Sequence, residues 1–121
     1  MRFSFEELEV WQRAIEFAEK VIRSSEQWNT PGRHYRLLEQ LESAATSVAM
    51  NIAEGKGRYS KREFIQFLYI ARGSLFETIT LLIIVCRLSW IEDSELEGLR
   101  NEAIVIGKML SNFASSLKRT L

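Results

Sequence analysis

Three times the chain sets a serine three residues ahead of a glutamate where an apolar run begins: Ser4-Phe5-Glu6-Glu7, Ser60-Lys61-Arg62-Glu63 and Ser94-Glu95-Leu96-Glu97. In such a capping box the serine hydroxyl accepts from the amide three residues on. The glutamate reaches back to the serine amide, so two donors that a helix start leaves unpaired are satisfied together. A fourth start is marked by Thr30-Pro31, since threonine suits the N-cap and proline at the first helical position gives up no needed donor. Pro31 is the only proline in 121 residues, so no other proline breaks a helix between these marks.

Between the marks, apolar residues recur at steps of three and four. The first stripe is Leu8, Trp11, Ala14, Ile15, Ala18 and Ile22, with Phe3 and Leu8 placed as a hydrophobic staple. The second is Leu37, Leu38, Leu41, Ala44, Ala45, Val48 and Ile52, stopped by Gly55 in a left-handed conformation. The third helix has Tyr59 and Phe64 as its staple, and from Leu75 to Leu88 it is apolar nearly all round, as in a helix buried on most sides. The last stripe is Leu96, Leu99, Ala103, Ile106, Leu110, Phe113 and Leu117. The expected elements are helices over 5–24, 31–54, 61–88 and 95–119 in a single domain spanning 1–121. Short connections between four such helices predict an all-α fold, an antiparallel up-down-up-down four-helix bundle.

The residue inventory excludes much chemistry. His34 is the only histidine, Asp93 the only aspartate and Cys86 the only cysteine. A Ser-His-Asp triad would have to join a helix start to a distant turn. Di-iron bundle sites and Cys/His zinc sites need more ligands than the chain has. No metal or cofactor is expected, and no enzyme. Cys86 reads as a core thiol. Acidic residues follow Met1 before an apolar segment could form, so no signal peptide is expected. The longest strongly apolar stretch without charge, Thr78 to Cys86, falls short of the roughly 20 residues a membrane span needs. A soluble cytoplasmic protein with no membrane partner and no small-molecule substrate is the expectation.

Three features ask for more than solvent and core. Glu54 stands at a helix C-terminus, where the dipole disfavours an anion. Its pairing with Arg58, Lys56 or Arg72, together with Asn51, would form a structural knot fixing the turn and the start of the third helix. Gly73 lies inside the third helix at a cost of about 1 kcal/mol against alanine, which a closely packed neighbour would explain. Lys56, Arg58, Lys61, Arg62 and Arg72 bring five positive charges into 17 residues with Glu63 the only acid among them. Such a patch could contact the phosphates of RNA or DNA, with Tyr59 stacking. A solvated turn is the plainer reading. The 16 basic and 16 acidic residues give zero net charge, unlike a strongly basic nucleic-acid protein. Glu92, Asp93, Glu95 and Glu97 form an acidic counterpart.

The blocks Phe5-x-x-Leu8-x-Val10-Trp11-x-x-Ala14, Ala44-Ala45-x-Ser47-Val48-x-x-Asn51-Ile52-Ala53-Glu54-Gly55 and Ala71-x-Gly73-Ser74-Leu75-x-Glu77 resemble the family of proteins encoded in bacterial 23S rRNA intervening sequences, the "four helix bundle proteins". The resemblance runs from Phe5 to about Leu117. It implies a four-helix bundle assembling as a homopentamer, hence a ring-like homo-oligomer, with no known catalytic activity and no settled molecular function. A similar branch, the accessory proteins of diversity-generating retroelements, works with a reverse transcriptase and carries a basic surface for nucleic acid. This chain has Glu42-Ser43 where those relatives commonly carry basic residues.

Taken together, these features point first to a non-catalytic homo-oligomeric interaction or scaffold protein. Leu75, Ile79, Leu82, Ile83 and the region of Gly73 would supply core and interface. The alternative is an RNA- or DNA-binding accessory module using the patch between the second and third helices.

Overall fold

The computed structural model describes residues 1–30 and 34–121. Four helices, α1 (Glu9–Glu26), α2 (Tyr35–Lys56), α3 (Lys61–Arg87) and α4 (Asp93–Lys118), follow a 3-10 turn at Ser4–Glu7, with no strand among the described residues. The start expected at Pro31 lies outside those residues, and α2 is helical from Tyr35.

Neighbours in sequence are neighbours in space, and α4 closes back on α1. Among the described residues the diagonal pairs α1–α3 and α2–α4 do not come within 8 Å, Cα to Cα. The helices therefore stand at the corners of a square. Each side is antiparallel: Gly55 near the end of α2 meets Phe64 and Phe67 near the start of α3. Ser24 late in α1 hydrogen-bonds Glu95 early in α4, and Lys20 pairs with Glu102 at 2.8 Å. That hydrogen bond and the Glu102 charge raise the Lys20 pKa. The raised pKa means the clasp is complete at neutral pH and is lost only as pH rises through the folded-state value.

The core runs down the axis of the square through Phe17, Val21, Leu41, Ile52, Leu68, Leu75, Leu82, Ile106 and Leu110. The stripes expected for α2 and α4 are largely the ones buried. In α1 the buried row is Val10, Ala14, Phe17, Ala18 and Val21. Ile15, expected inside, is 41% exposed, and Ile22 is half-buried. The expected stripe is thus turned by part of a helical turn, because Trp11, Ile15 and Ile22 form a second apolar row beside the true one.

Only one capping box has its hydroxyl in place. Ser60 accepts from the Glu63 amide at 3.2 Å, and its hydroxyl donates to the Glu63 carboxylate at 3.1 Å. At the N-terminus Glu6, not Glu7, reaches back, accepting from the Phe3 amide at 2.8 Å. Phe3 stacks on Phe5, and Phe5 meets Trp11 edge-on. α4 begins at Asp93 with Glu92 as an N-cap whose side chain makes no capping bond. Asp93 and Glu95 in its first turn still favour the helix dipole. Tyr59 is fully exposed and staples nothing.

α3 ends in a Schellman motif. The Trp90 amide donates to the Val85 carbonyl and the Ser89 amide to the Cys86 carbonyl, with Ser89 left-handed at φ 66°. Trp90 packs on the His34 ring, centroids 4.9 Å apart, tying the start of α2 to this turn. Cys86 is half-buried rather than core, and its thiol donates to Asp93 at 3.2 Å. That bond first, then burial, raises the thiol pKa, so its reactive thiolate is disfavoured.

By length and composition α3 could cross a membrane, more than the short uncharged stretch in its sequence suggests. Its residues Phe64, Ile65, Leu68, Ala71, Leu75, Leu81, Leu82 and Val85 are buried in the bundle core.

Candidate functional site

Of the two glycines singled out in the sequence, Gly55 takes the close-packing role expected of Gly73. Gly55 is not a left-handed stop. The helix continues through it to Lys56, and Gly57 is the right-handed cap. A methyl group on Gly55 would lie 2.6 Å from Phe67 Cβ and 2.9 Å from Phe64 Cδ1. Here α2 and α3 touch almost backbone to backbone, and only a residue without Cβ fits. Gly73 has nothing within 4 Å of such a methyl and lies exposed on α3.

At the turn, Arg58 reaches back to Glu54 at 2.7 Å and lies over the Phe67 ring. Asn51 takes no part in this contact. Its amide donates to the Ser47 carbonyl and to the Ser47 hydroxyl, each at 2.8 Å, and Ser47 shares a hydrogen bond with Ser74 of α3 at 2.9 Å. The motif therefore makes two separate ties from α2 to the start and middle of α3.

The basic cluster spreads out. Lys56, Arg58, Lys61 and Arg62 stay together at one end of the bundle. Lys61 donates to the Thr120 hydroxyl at 2.8 Å, which brings Lys118 and Arg119 to the same end. Periodicity alone could not add those two, because their proximity depends on α4 returning beside α3. Arg72 stands at the far edge of the cluster, sharing the Tyr69 ring with Lys118. It lies more than two turns further along α3, donates to Ser111 of α4 at 3.0 Å and covers the Tyr69 ring. Glu92, Asp93, Glu95 and Glu97 occupy the opposite end, where Arg23 and Arg87 close α1 and α3.

The most distinctive surface is one the sequence hinted at only through apolar excess. A groove of about 470 Å³ runs between α3 and α4, floored by Leu75, Ile79 and Ala103 and walled by Phe76 and Ile104. Phe76 is 58% exposed and Ile104 48%. Arg72, Arg100 and Lys108 stand around it, with no acid among its lining residues. The expected burial of α3 on most sides is thus not met within one chain, since Phe76, Ile84 and Leu88 face outward. No three potential metal-ligating side chains come together among the described residues.

The described residues thus form a four-helix bundle with an apolar groove between α3 and α4 and a cluster of basic residues at one end. The family model for 23S rRNA-intervening sequence proteins matches residues 6–112, and the chain belongs to that family. A crystal structure of a protein of unknown function from the S23 ribosomal protein family of Bacteroides thetaiotaomicron VPI-5482 is similar in fold. It has a TM-score of 0.79 at 25% identity, over 87% of this chain and 97% of that one. No curated protein matches the chain.

Proposed function

We propose that the chain is a non-catalytic, homo-oligomeric interaction protein, a scaffold whose α3–α4 groove is covered by another copy of itself. The observation that carries this reading is the open groove with Phe76 and Ile104 on its walls. A helix in a lone bundle needs one apolar face, and α3 has apolar side chains beyond the face it buries. Zero net charge removes the long-range repulsion that would keep copies apart. A homopentamer is the assembly that the family resemblance implies. We place the protein in the cytoplasm, in keeping with a single cysteine engaged by Asp93. No cofactor or small-molecule substrate enters this role.

Ile104→Glu tests the proposal. A glutamate there would be desolvated on assembly with Arg100 and Lys108 one turn to either side, and even a paired buried charge in place of an apolar side chain costs about 1–4 kcal/mol, so self-association should weaken on the order of 10- to 100-fold. Sedimentation should show the variant as single chains with unchanged helix content. An unchanged assembly would remove the groove from the interface.

The shared basic end favours a second reading, RNA or DNA binding as an accessory module through Lys56, Arg58, Lys61 and Arg62, with Lys118 and Arg119 beside them. Four phosphate contacts predict that log affinity falls against log salt with a slope of about −3 to −4. Neutralising the four residues should abolish binding to structured RNA and duplex DNA. Binding that ignores salt, or survives the neutralisation, would reject the patch.

A further inference from the structure

The groove between α3 and α4 holds its free charge at one end only. Arg72 of α3 stands level with Ser111 of α4, to which it donates at 3.0 Å. One turn further along the floor, Leu75 faces Gly107. Lys108, next to Gly107, therefore flanks the same end as Arg72 from the opposite wall. Arg72 lies over the Tyr69 and Phe76 rings and meets no carboxylate among the described residues. Lys108 is exposed and belongs to no ion pair among them. Lys118, also over the Tyr69 ring, lies beyond that end. At the other end Arg100 is held by Glu97 at 2.8 Å. Glu77 follows Phe76 in sequence but does not line the groove, and Glu102 is turned to Lys20.

Between the two ends the lining is hydrocarbon: Leu75, Phe76, Ile79, Ala103 and Ile104. The rise of α4 from Lys108 to Arg100 is about 12 Å. The furrow is single, with a volume of about 470 Å³. Its form matches one unbranched alkyl chain with one anion at its head. A lipid with two chains has more apolar surface than one furrow covers. An acidic amphipathic helix would spread carboxylates along its length, whereas unpaired cations stand at one end alone.

We infer that the groove binds a single-chain amphiphilic carboxylate, a medium-chain fatty acid, and that this ligand displaces the copy that covers the groove. The carboxylate lies between Arg72 and Lys108, and the chain runs over Phe76, Ile104 and Ile79 towards Arg100. The guanidinium and the ammonium supply charge-assisted hydrogen bonds to the head, and the apolar walls take the tail out of water. The ligand is not transformed; it regulates. The displacement rests on the self-assembly proposed above, whereas the binding does not. A ligand that takes only the uncovered groove draws the equilibrium towards separate chains as its free concentration rises.

The test uses the full-length chain and dodecanoate below its micelle-forming concentration. Equilibrium dialysis reads the binding, photolysis of a diazirine-bearing dodecanoate reads its place, and sedimentation reads the mass. Dodecanoate should bind saturably with helix content unchanged. The photolabel should fall on Phe76, Ile79 and Ile104, and spare Ile15 and Met50 on the apolar surface between α1 and α2, the opposite side of the square. Dodecyltrimethylammonium, with the same chain and the opposite charge, should not displace it. Lys108→Glu changes an exposed side chain, so it should melt as the parent does and bind dodecanoate about tenfold more weakly or worse. As the groove fills, the assembled mass should fall to that of single chains. Label spread equally onto Ile15 and Met50, displacement by the cationic amphiphile, or undiminished binding by Lys108→Glu would overturn the site. A filled groove in an intact assembly would overturn the displacement, and Ile104→Glu reads separately whether the groove is an interface. A parent chain that is single without ligand would overturn the self-assembly reading instead, and the photolabel would still decide the site.

Discussion

Phe17→Ala is expected to lower stability by about 3–5 kcal/mol, among the largest losses available to a single truncation in this chain. The ring has no solvent exposure and fills the core from α1, whose contact with α4 is the least extensive side of the square. Its removal forfeits the transfer free energy of the aromatic carbons and leaves a cavity that four helices closed by short turns can collapse only in part. Ile15→Ala, two residues away, is expected to cost less than about 1 kcal/mol, because Ile15 already faces solvent in the single chain. Urea unfolding of both variants below the concentration at which copies associate measures the difference. Equal losses would mean that α1 is turned about its axis from the orientation described.

Gly55→Ala should destabilise by about 1–3 kcal/mol, and Gly73→Ala should stabilise by about 0.5–1 kcal/mol. The substitution is the same and both positions are helical, so propensity favours alanine at each. What differs is the neighbour. At Gly55 the new methyl would meet Phe67 Cβ, an atom fixed to the α3 backbone, at 2.6 Å. It can be admitted only by pushing α2 and α3 apart along the most extensive seam of the bundle. At Gly73 it would enter open space. Opposite shifts in melting temperature of several degrees are expected. A neutral Gly55→Ala would show that the seam has slack the packing does not suggest.

These two pairs also show where the sequence stops being readable. Helix number, helix order and the buried rows of α2 and α4 follow from period and turn residues, and the start of α3 follows from Ser60. The phase of α1 does not. Val10, Ala14, Phe17 and Val21 make one apolar row, and Trp11, Ile15 and Ile22 make another beside it. Only packing against α2 and α4 decides which faces the axis. The glycines are ambiguous for a related reason. A glycine near a helix end suits a left-handed stop and a close crossing equally well, and the answer depends on the helix it meets.

The candidate surfaces were legible to different degrees. Lys56, Arg58, Lys61 and Arg62 are adjacent in sequence and stay adjacent in the fold. Arg72 is one helix length of reasoning too far: sixteen residues from Lys56, it is carried up α3 to the groove, where it donates to Ser111. The groove could not be placed from sequence, because Phe76 and Ile104 come together only when α3 and α4 pack. Its signal was nonetheless present as more apolar residues on α3 than one bundle face requires. The second row of α1 carries the same kind of signal for the opposite face.

Self-association is the claim on which this account turns, and the sedimentation mass of the unmodified chain across a micromolar concentration series tests it most directly. The account predicts a discrete species of several chains that persists on dilution through that range. A mass of one chain throughout would contradict it, and would leave the basic end of the bundle as the surface to which a function must be attached.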